Sequence, residues 1–292
     1  MTATYLQRLA ARVAVTRSAL CVGLDPDPAA LPDGFSPDIA GVEAFSRLIL
    51  RAALPYATAV KPNLAFFEAH GSAGIAALER LRKLVPPDVQ FVADAKRGDI
   101  GSTAARQAAA LYDVLGADAI TVNPYLGGDA VRPLLDRADR FAYVLCRTSN
   151  AGAGELQGLV VAEDAAAGCP AEPLYARVAR RAAGWGPGGT VGLVVGATAP
   201  AELAAIRAIA PGLAFLVPGV GAQGGETAPV LAAGPATVAP AGGTAGGGLL
   251  VNVSRGIARA GLGTVPPGAP PDLEERLAAA AAAWSASLAV LP

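Results

Sequence analysis

Eight short runs rich in Val, Ile, Leu, Phe or Ala punctuate the chain, each ending at a turn signal or a polar residue. They are 19–25, 58–63, 90–96, 119–124, 142–148, 190–196, 214–218 and 248–255. Between them lie amphipathic stretches of helical period, among them 42–54, 74–84, 102–115, 173–183 and 199–209. Near-continuous apolar strands alternating with helices indicate a parallel sheet buried on both faces. Eight such units in about 250 residues predict an α/β fold, a closed (β/α)8 TIM barrel, with residues 1–292 as a single domain. An open doubly wound sheet is the structural alternative, but no G-x-G-x-x-G follows the first run. Two connections are long. The Gly- and Ala-rich segment 150–172 follows the fifth run on the face where barrels carry chemistry, and reads as a candidate lid. The tract 234–247 precedes the eighth run and is expected to be an extended surface connection.

Composition fits this reading and removes others. The 35 Gly and 24 Pro suit many short elements joined by tight turns. With 23 Lys and Arg against 24 Asp and Glu, the net charge of −1 offers no electrostatic attraction to nucleic acid or an anionic membrane. Hydrophobic residues make up 53% of the chain, but much of that is alanine. The longest apolar stretch, 277–291, has 15 residues including Ser285 and Ser287, short of the roughly 20 that span a bilayer. The N-terminal segment has no secretory h-region and is punctuated at helical spacing by Arg8, Arg12 and Arg17. A soluble, cytoplasmic protein is expected. Cys21, Cys146 and Cys169, odd in number and widely spaced, fit neither a disulfide framework nor a zinc site.

In a barrel the C-terminal ends of the strands form the active-site mouth. Those ends carry Asp25, Lys61 with Asn63, Asp94 with Lys96, Asn123, Thr148 with Ser149, and Arg255. Asp94 and Lys96, two apart on a strand, should project to the same side, and Asp99 follows in the loop beyond Gly98. A salt bridge at a strand end is the plain alternative. Charges placed at the end of an otherwise apolar strand point instead to chemistry. A second constellation joins Pro218-Gly219-Val220-Gly221-Ala222-Gln223-Gly224-Gly225 after the seventh run to Val253-Ser254-Arg255-Gly256-Ile257 closing the eighth. Barrels frequently bind phosphate between these two loops, where glycines admit backbone N–H groups and an arginine pairs bidentately. Gln223 can donate through its amide; a plain turn beside a surface arginine is the alternative. His70, the only histidine, falls near a helix end and reads as structural or solvated. No nucleophile elbow supports a Ser-His-Asp triad. Asp25 and Asp27 hint at a metal, but Lys61 and Lys96 in the same mouth would repel a divalent cation, so no metal site is expected. Trp185 and Trp284 lie on helical stretches and read as packing.

Taken together, these residues resemble the orotidine 5′-phosphate decarboxylase family. The cluster Asp94-x-Lys96-x-x-Asp99-Ile100 matches its central motif, and Cys21-Val22-Gly23-Leu24-Asp25, Ala59-Val60-Lys61-Pro62-Asn63, Thr121-Val122-Asn123-Pro124-Tyr125 and 218–223 follow in the family's order. Lys61-Pro62-Asn63, Arg147-Thr148-Ser149-Asn150 and the chain length are similar to the longer bacterial branch. The resemblance runs from Leu20 to Ile257. It implies that Asp25 and Lys61 hold the ribose hydroxyls, that Lys61 joins Asp94, Lys96 and Asp99 in one charged network, and that Ser149 meets the pyrimidine edge. Gln223 and Arg255 would hold the 5′-phosphate, with Ser254 standing where the family usually has glycine. Asn63 and Asn123 complete the substrate-binding set. Asp99, Ile100 and Thr103 would reach the site of a partner subunit, which implies a homodimer. The implied reaction is decarboxylation of orotidine 5′-monophosphate to uridine 5′-monophosphate and CO2, the last step of de novo UMP biosynthesis. Loss of CO2 leaves a carbanion in the ring plane, outside the π-system, and the sequence shows no motif for a thiamine or pyridoxal electron sink. No cofactor is expected; electrostatics and proton donation by Lys96 would carry the reaction. Two alternatives remain. A Mg²⁺-dependent sugar-phosphate decarboxylase or synthase on the same barrel needs an acidic residue where Lys61 stands. A catalytically silent phosphate-binding barrel has no need of alternating charges.

Overall fold

The computed structural model describes residues 3–262 and 272–290, and in it all eight apolar runs are strands that close into one parallel barrel. The strands are β1 (Leu20–Leu24), β2 (Ala59–Pro62), β3 (Gln90–Arg97), β4 (Ala119–Val122) and β5 (Phe141–Arg147). A short antiparallel ribbon, β6 (Val160–Val161) with β7 (Glu172–Pro173), stands apart from the barrel. The barrel resumes with β8 (Val191–Val195), β9 (Ala214–Val217) and β10 (Leu249–Val253), which pairs in parallel with β1. The α/β-barrel reading of the sequence therefore holds.

The helices anticipated from periodicity are present at Ile39–Ala53, Gly71–Arg82, Gly101–Ala108, Leu174–Ala182 and Pro200–Ile209. The third widens into a π-type turn over Ala109–Val114. Their starts differ from the periodic pattern by a few residues because local chemistry sets them. Asp38 accepts hydrogen bonds from the amides of Ala40 and Gly41, so the first helix begins upstream of its apolar stripe. Three further helices, Tyr5–Thr16, Gly128–Leu135 and Thr227–Ala233, are not delimited by the sequence pattern, while Trp284 does lie on a helix, Leu273–Ser287, and Trp185 lies just beyond the end of Leu174–Ala182. The helix Leu273–Ser287 occupies most of the apolar stretch 277–291, whose final residue lies outside the described residues. Among the described residues no helix is long and apolar enough to cross a membrane.

The N-terminal helix plugs the bottom of the barrel. Thr4 and Gln7 form a capping box, and Tyr5 is inserted fully buried among the inward residues of the strands. Its ring stacks on Phe141 at 4.6 Å, and its hydroxyl lies 3.1 Å from that of Tyr143. Ala59, Ala119 and Ala214 in the same interior cluster leave room for these three rings. The arginines noted for their spacing hold the helix in place. Arg8 pairs with Asp118 at 3.1 Å, and Arg12 donates to the carbonyls of Leu54 and Ala57. The tract 234–247 lies at this same end, ahead of β10, and differs from the extended connection expected of it. Its ends fold back on each other through Ala236 N–H to Gly247 O and Gly246 N–H to Ala236 O, while Thr237 and Val238 both donate to Pro211 O. Glycines permit these reversals. With the bottom filled, the C-terminal end of the barrel is, among the described residues, the end open to a ligand.

Candidate active site

The alternation of side chains along each strand delivers polar residues to the open end. Gly23 and Lys61 are register partners on β1 and β2, and both are buried. Lys61 is only 4% exposed, so its ammonium needs a counter-charge. Asp94 supplies it, with Oδ2 at 2.6 Å from Lys61 Nζ and Oδ1 at 2.6 Å from Lys96 Nζ. Thr121 ties the cluster to β4: its Oγ1 donates to Asp94 Oδ1 at 2.9 Å and accepts from the Lys96 amide at 2.9 Å. Lys96 does reach the same side as Asp94, though not by regular alternation. The β3–β4 register shifts between Ala93 and Arg97, and Lys96 adopts φ +46°, a left-handed conformation uncommon for a non-glycine residue. Such local strain gathers at functional sites.

The charges of this cluster reinforce each other. Burial alone would raise the Asp94 carboxyl, but the Lys61 and Lys96 ammonium groups outweigh it and hold it well below the usual carboxylate range. Burial likewise presses Lys61 down, yet Asp94 and then Asp25 raise it above an ordinary lysine. A carboxylate fixed between two amines thus stays ionised at neutral pH, beside a lysine that stays protonated.

Above the cluster opens a cavity of about 830 Å³. It gathers Asp25, Lys61, Asn63, Asp94, Lys96, Ser149, Gln223, Ser254 and Arg255 of the site expected from sequence. Asp99, Ile100, Thr103 and Asn123 do not line it. Asp99 caps its own loop by accepting from the Ile100 amide at 2.8 Å, and Asn123 Oδ1 accepts from the Tyr125 amide at 3.0 Å. Thr103 is exposed, Ile100 is 61% exposed, and Tyr125 and Leu126 on the loop after β4 are exposed as well. After Lys96 the chain swings out to the rim, with Arg97 paired to Glu68. At the opposite wall, Gly219 at φ +98° lets Ser149 and Gln223 both approach its backbone. A Cβ there would lie 2.9 Å from both Gln223 Oε1 and Ser149 Cβ.

Four polar lining residues, Thr121, Arg259, Asn252 and Gln157, are given no role in the site by the sequence pattern. Thr121 belongs to the strand-four motif, which carried the signal, but it is Thr121 and not Asn123 that faces the cavity, and hydroxyls at strand ends are common. Arg259 follows Arg255 by four residues, one helical turn, and among the described residues neither forms an ion pair. Asn252 faces the mouth from β10 with its Oδ1 buried and unpartnered. Gln157, at the end of the short helix Ala153–Gln157, accepts from the Thr148 amide at 2.9 Å and donates to Thr148 Oγ1 at 2.8 Å. The candidate lid is thereby folded down onto the end of β5.

Fold and site together define a (β/α)8-barrel enzyme that clamps a buried carboxylate between two lysines and faces it with an arginine-bearing wall. The family described as "Orotidine 5'-phosphate decarboxylase / HUMPS family" matches residues 18–264, and the chain belongs to it. An orotidine 5′-phosphate decarboxylase from Thermomicrobium roseum is 47% identical over 256 residues, which cover 87% of this chain and 86% of that protein. One from Roseiflexus castenholzii is 48% identical, covering 85% of this chain and 86% of the relative. Among solved structures, OMP decarboxylase of Leishmania donovani superposes with a TM-score of 0.77 at 38% identity, covering 97% of this chain and 98% of that one.

Proposed function

We propose that the protein decarboxylates orotidine 5′-monophosphate to uridine 5′-monophosphate and CO2, the closing step of pyrimidine nucleotide synthesis, without metal or organic cofactor. The observation that carries this reading is the Lys61–Asp94–Lys96 array, each contact 2.6 Å, at the floor of a cavity large enough for a nucleotide. In the reaction the bond from C6 to the carboxylate carbon breaks and its electron pair stays at C6. The Lys96 ammonium stabilises that charge and transfers its proton to C6, then regains one from solvent. Asp94 lies against the substrate carboxylate and disfavours the charged ground state, while Lys61 keeps Asp94 ionised. Asp25 and Lys61 take the ribose hydroxyls, with Asn63 beside them. Ser149 meets the pyrimidine edge, next to Gln223, which with Arg255 and the Ser254 amide holds the phosphate. Binding at that remote group can drive closure of the segment 150–157. Asn123 acts by holding the β4 loop through its bond to Tyr125.

The half-buried Asp99 beside the exposed Ile100 and Thr103, with further exposed apolar residues Tyr125 and Leu126 on the loop after β4, supports a homodimer in which Asp99 enters the partner's cavity. The protein would serve a soluble cytoplasmic pathway. The Mg²⁺-dependent alternative is disfavoured by Lys61, whose buried ammonium holds the strand-two position that a metal-binding acid would need. The test is conversion of orotidine 5′-monophosphate to uridine 5′-monophosphate by purified protein in EDTA. Full activity is expected. Loss on chelation, restored by Mg²⁺, refutes metal-free catalysis, and no turnover under either condition favours a silent barrel.

A further inference from the structure

The two glycine-rich segments of the arginine-bearing wall are joined by one side chain from a distant part of the sequence. Trp284 lies on the helix Leu273–Ser287, which is fixed against the barrel by the fully buried Leu277, Ala281 and Leu288. The Leu288 carbonyl accepts from the Ala19 amide at 2.9 Å, just ahead of β1. From there the indole reaches both loops. Its five-membered ring covers Gly256, where a Cβ would come within 2.7 Å of Nε1. Its six-membered ring covers Gly221, where a Cβ would come within 2.9 Å of Cη2. Gly256 follows Arg255 directly, and Gly221 stands two residues before Gln223. The absence of a side chain at Gly256 is thus explained by the indole and Val253 packed upon it, since its backbone is not left-handed.

We infer that Trp284 is a positioning residue for phosphate recognition, a rigid brace that sets the distance between the Gln223 loop and the Arg255 loop. An indole has only two rotatable bonds and a large flat face, so it fixes two backbones at small entropic cost. The two groups that would grip one anion sit on separate loops, which the pairing of β9 with β10 brings side by side only as far as Val217 and Val251. Trp284 supplies the constraint beyond that point, from behind the site without touching the ligand. Small displacements of binding groups are costly, about 100-fold for a misplacement of about 1 Å.

This inference rests on the reading of the wall as a phosphate site, and the experiment separates the two. Steady-state kinetics of Trp284→Ala should show KM for orotidine 5′-monophosphate raised by roughly 10- to 100-fold. Turnover of orotidine, which lacks the phosphate, should be unchanged, and Trp284→Phe should recover most of the affinity. Trp185 packs on Gly128 and does not line the cavity, so Trp185→Phe leaves Trp284 as the sole indole. Its emission should shift on adding inorganic phosphate or uridine 5′-monophosphate. An unchanged KM, an equal loss on both substrates, or silent emission at saturating uridine 5′-monophosphate overturns the inference. Should Trp284→Ala fail to fold, the emission of the Trp185→Phe protein still decides. Emission that responds to phosphate in a protein without decarboxylase activity would refute the proposed reaction and leave the brace standing.

Discussion

Replacing Asp94 by Asn tests the electrostatic design of the site through folding stability as well as turnover. Asn keeps the shape but removes the anion at 2.6 Å from both lysines, leaving the 4%-exposed Lys61 with a buried charge that, among the described residues, has no ion-pair partner. Breaking a buried pair by removing one partner costs about 3–5 kcal/mol. The Lys96 contact, with a half-exposed side chain, contributes at most about 1 kcal/mol of that. The loss should depend on pH in a definite direction. In the wild type the Asp94 carboxyl is held below its unfolded value, so its stabilisation is complete above about pH 4 and fades as pH falls toward the folded value. Lys61 is raised above its unfolded value, so its stabilisation is complete below about pH 10 and fades above it.

In Asp94→Asn, burial, the largest influence on Lys61, is opposed mainly by Asp25. The folded pKa of Lys61 should then drop below that of the unfolded chain. Between those two values the unfolded state binds more protons, and the variant gains stability as pH rises. Urea unfolding of both proteins at pH 7 and pH 9.5 should show a wide gap that narrows at the higher pH. The double variant Lys61→Met with Asp94→Asn should regain much of the loss, because no unpaired charge is buried. A gap under about 1 kcal/mol at pH 7, the range of a surface pair, would refute the argument. So would a gap that widens with pH.

Two further outcomes follow from other parts of the molecule. Tyr5→Ala should lower stability by about 3–5 kcal/mol through the cavity left beneath Phe141 and Tyr143, measured by chemical denaturation, with KM unchanged because the plug is at the filled end. Mixing inactive Lys96→Ala and Asp99→Ala proteins should restore partial activity in hybrid dimers, and no recovery after demonstrated subunit exchange counts against the shared site.

The barrel was legible because its strands are buried on both faces, which writes them as dense apolar runs. Five one-sided helices were legible from their periodicity, and legibility failed where the apolar stripe is faint or the structure is local. The N-terminal helix showed only its arginine spacing, because its buried face is Tyr5, Leu6, Leu9 and Val13 scattered among alanines and polar residues. The helix Leu273–Ser287 is alanine-rich on most sides, so its periodicity is faint, although it carries the indole that spans two loops. The tract 234–247 looked extended because its turns are made by backbone hydrogen bonds that composition does not encode.

At the mouth, charged residues at the ends of apolar strands stood out, since their burial demands a reason. Thr121, Asn252 and Arg259 did not, because a hydroxyl, an amide or a surface arginine is ordinary until the fold shows what it faces. Even the correct pairing of Asp94 with Lys96 came about through a register shift and a left-handed Lys96 that strand alternation does not foresee. Sequence order could suggest which charges share a mouth; the spacing between them is a property of the closed barrel. That spacing matters more than the near-zero total charge. In the proposed reaction, a carboxylate held at 2.6 Å from each of two ammonium groups would present a preorganised field where the substrate carboxylate gives way to a carbanion, and such a field is what water does not supply.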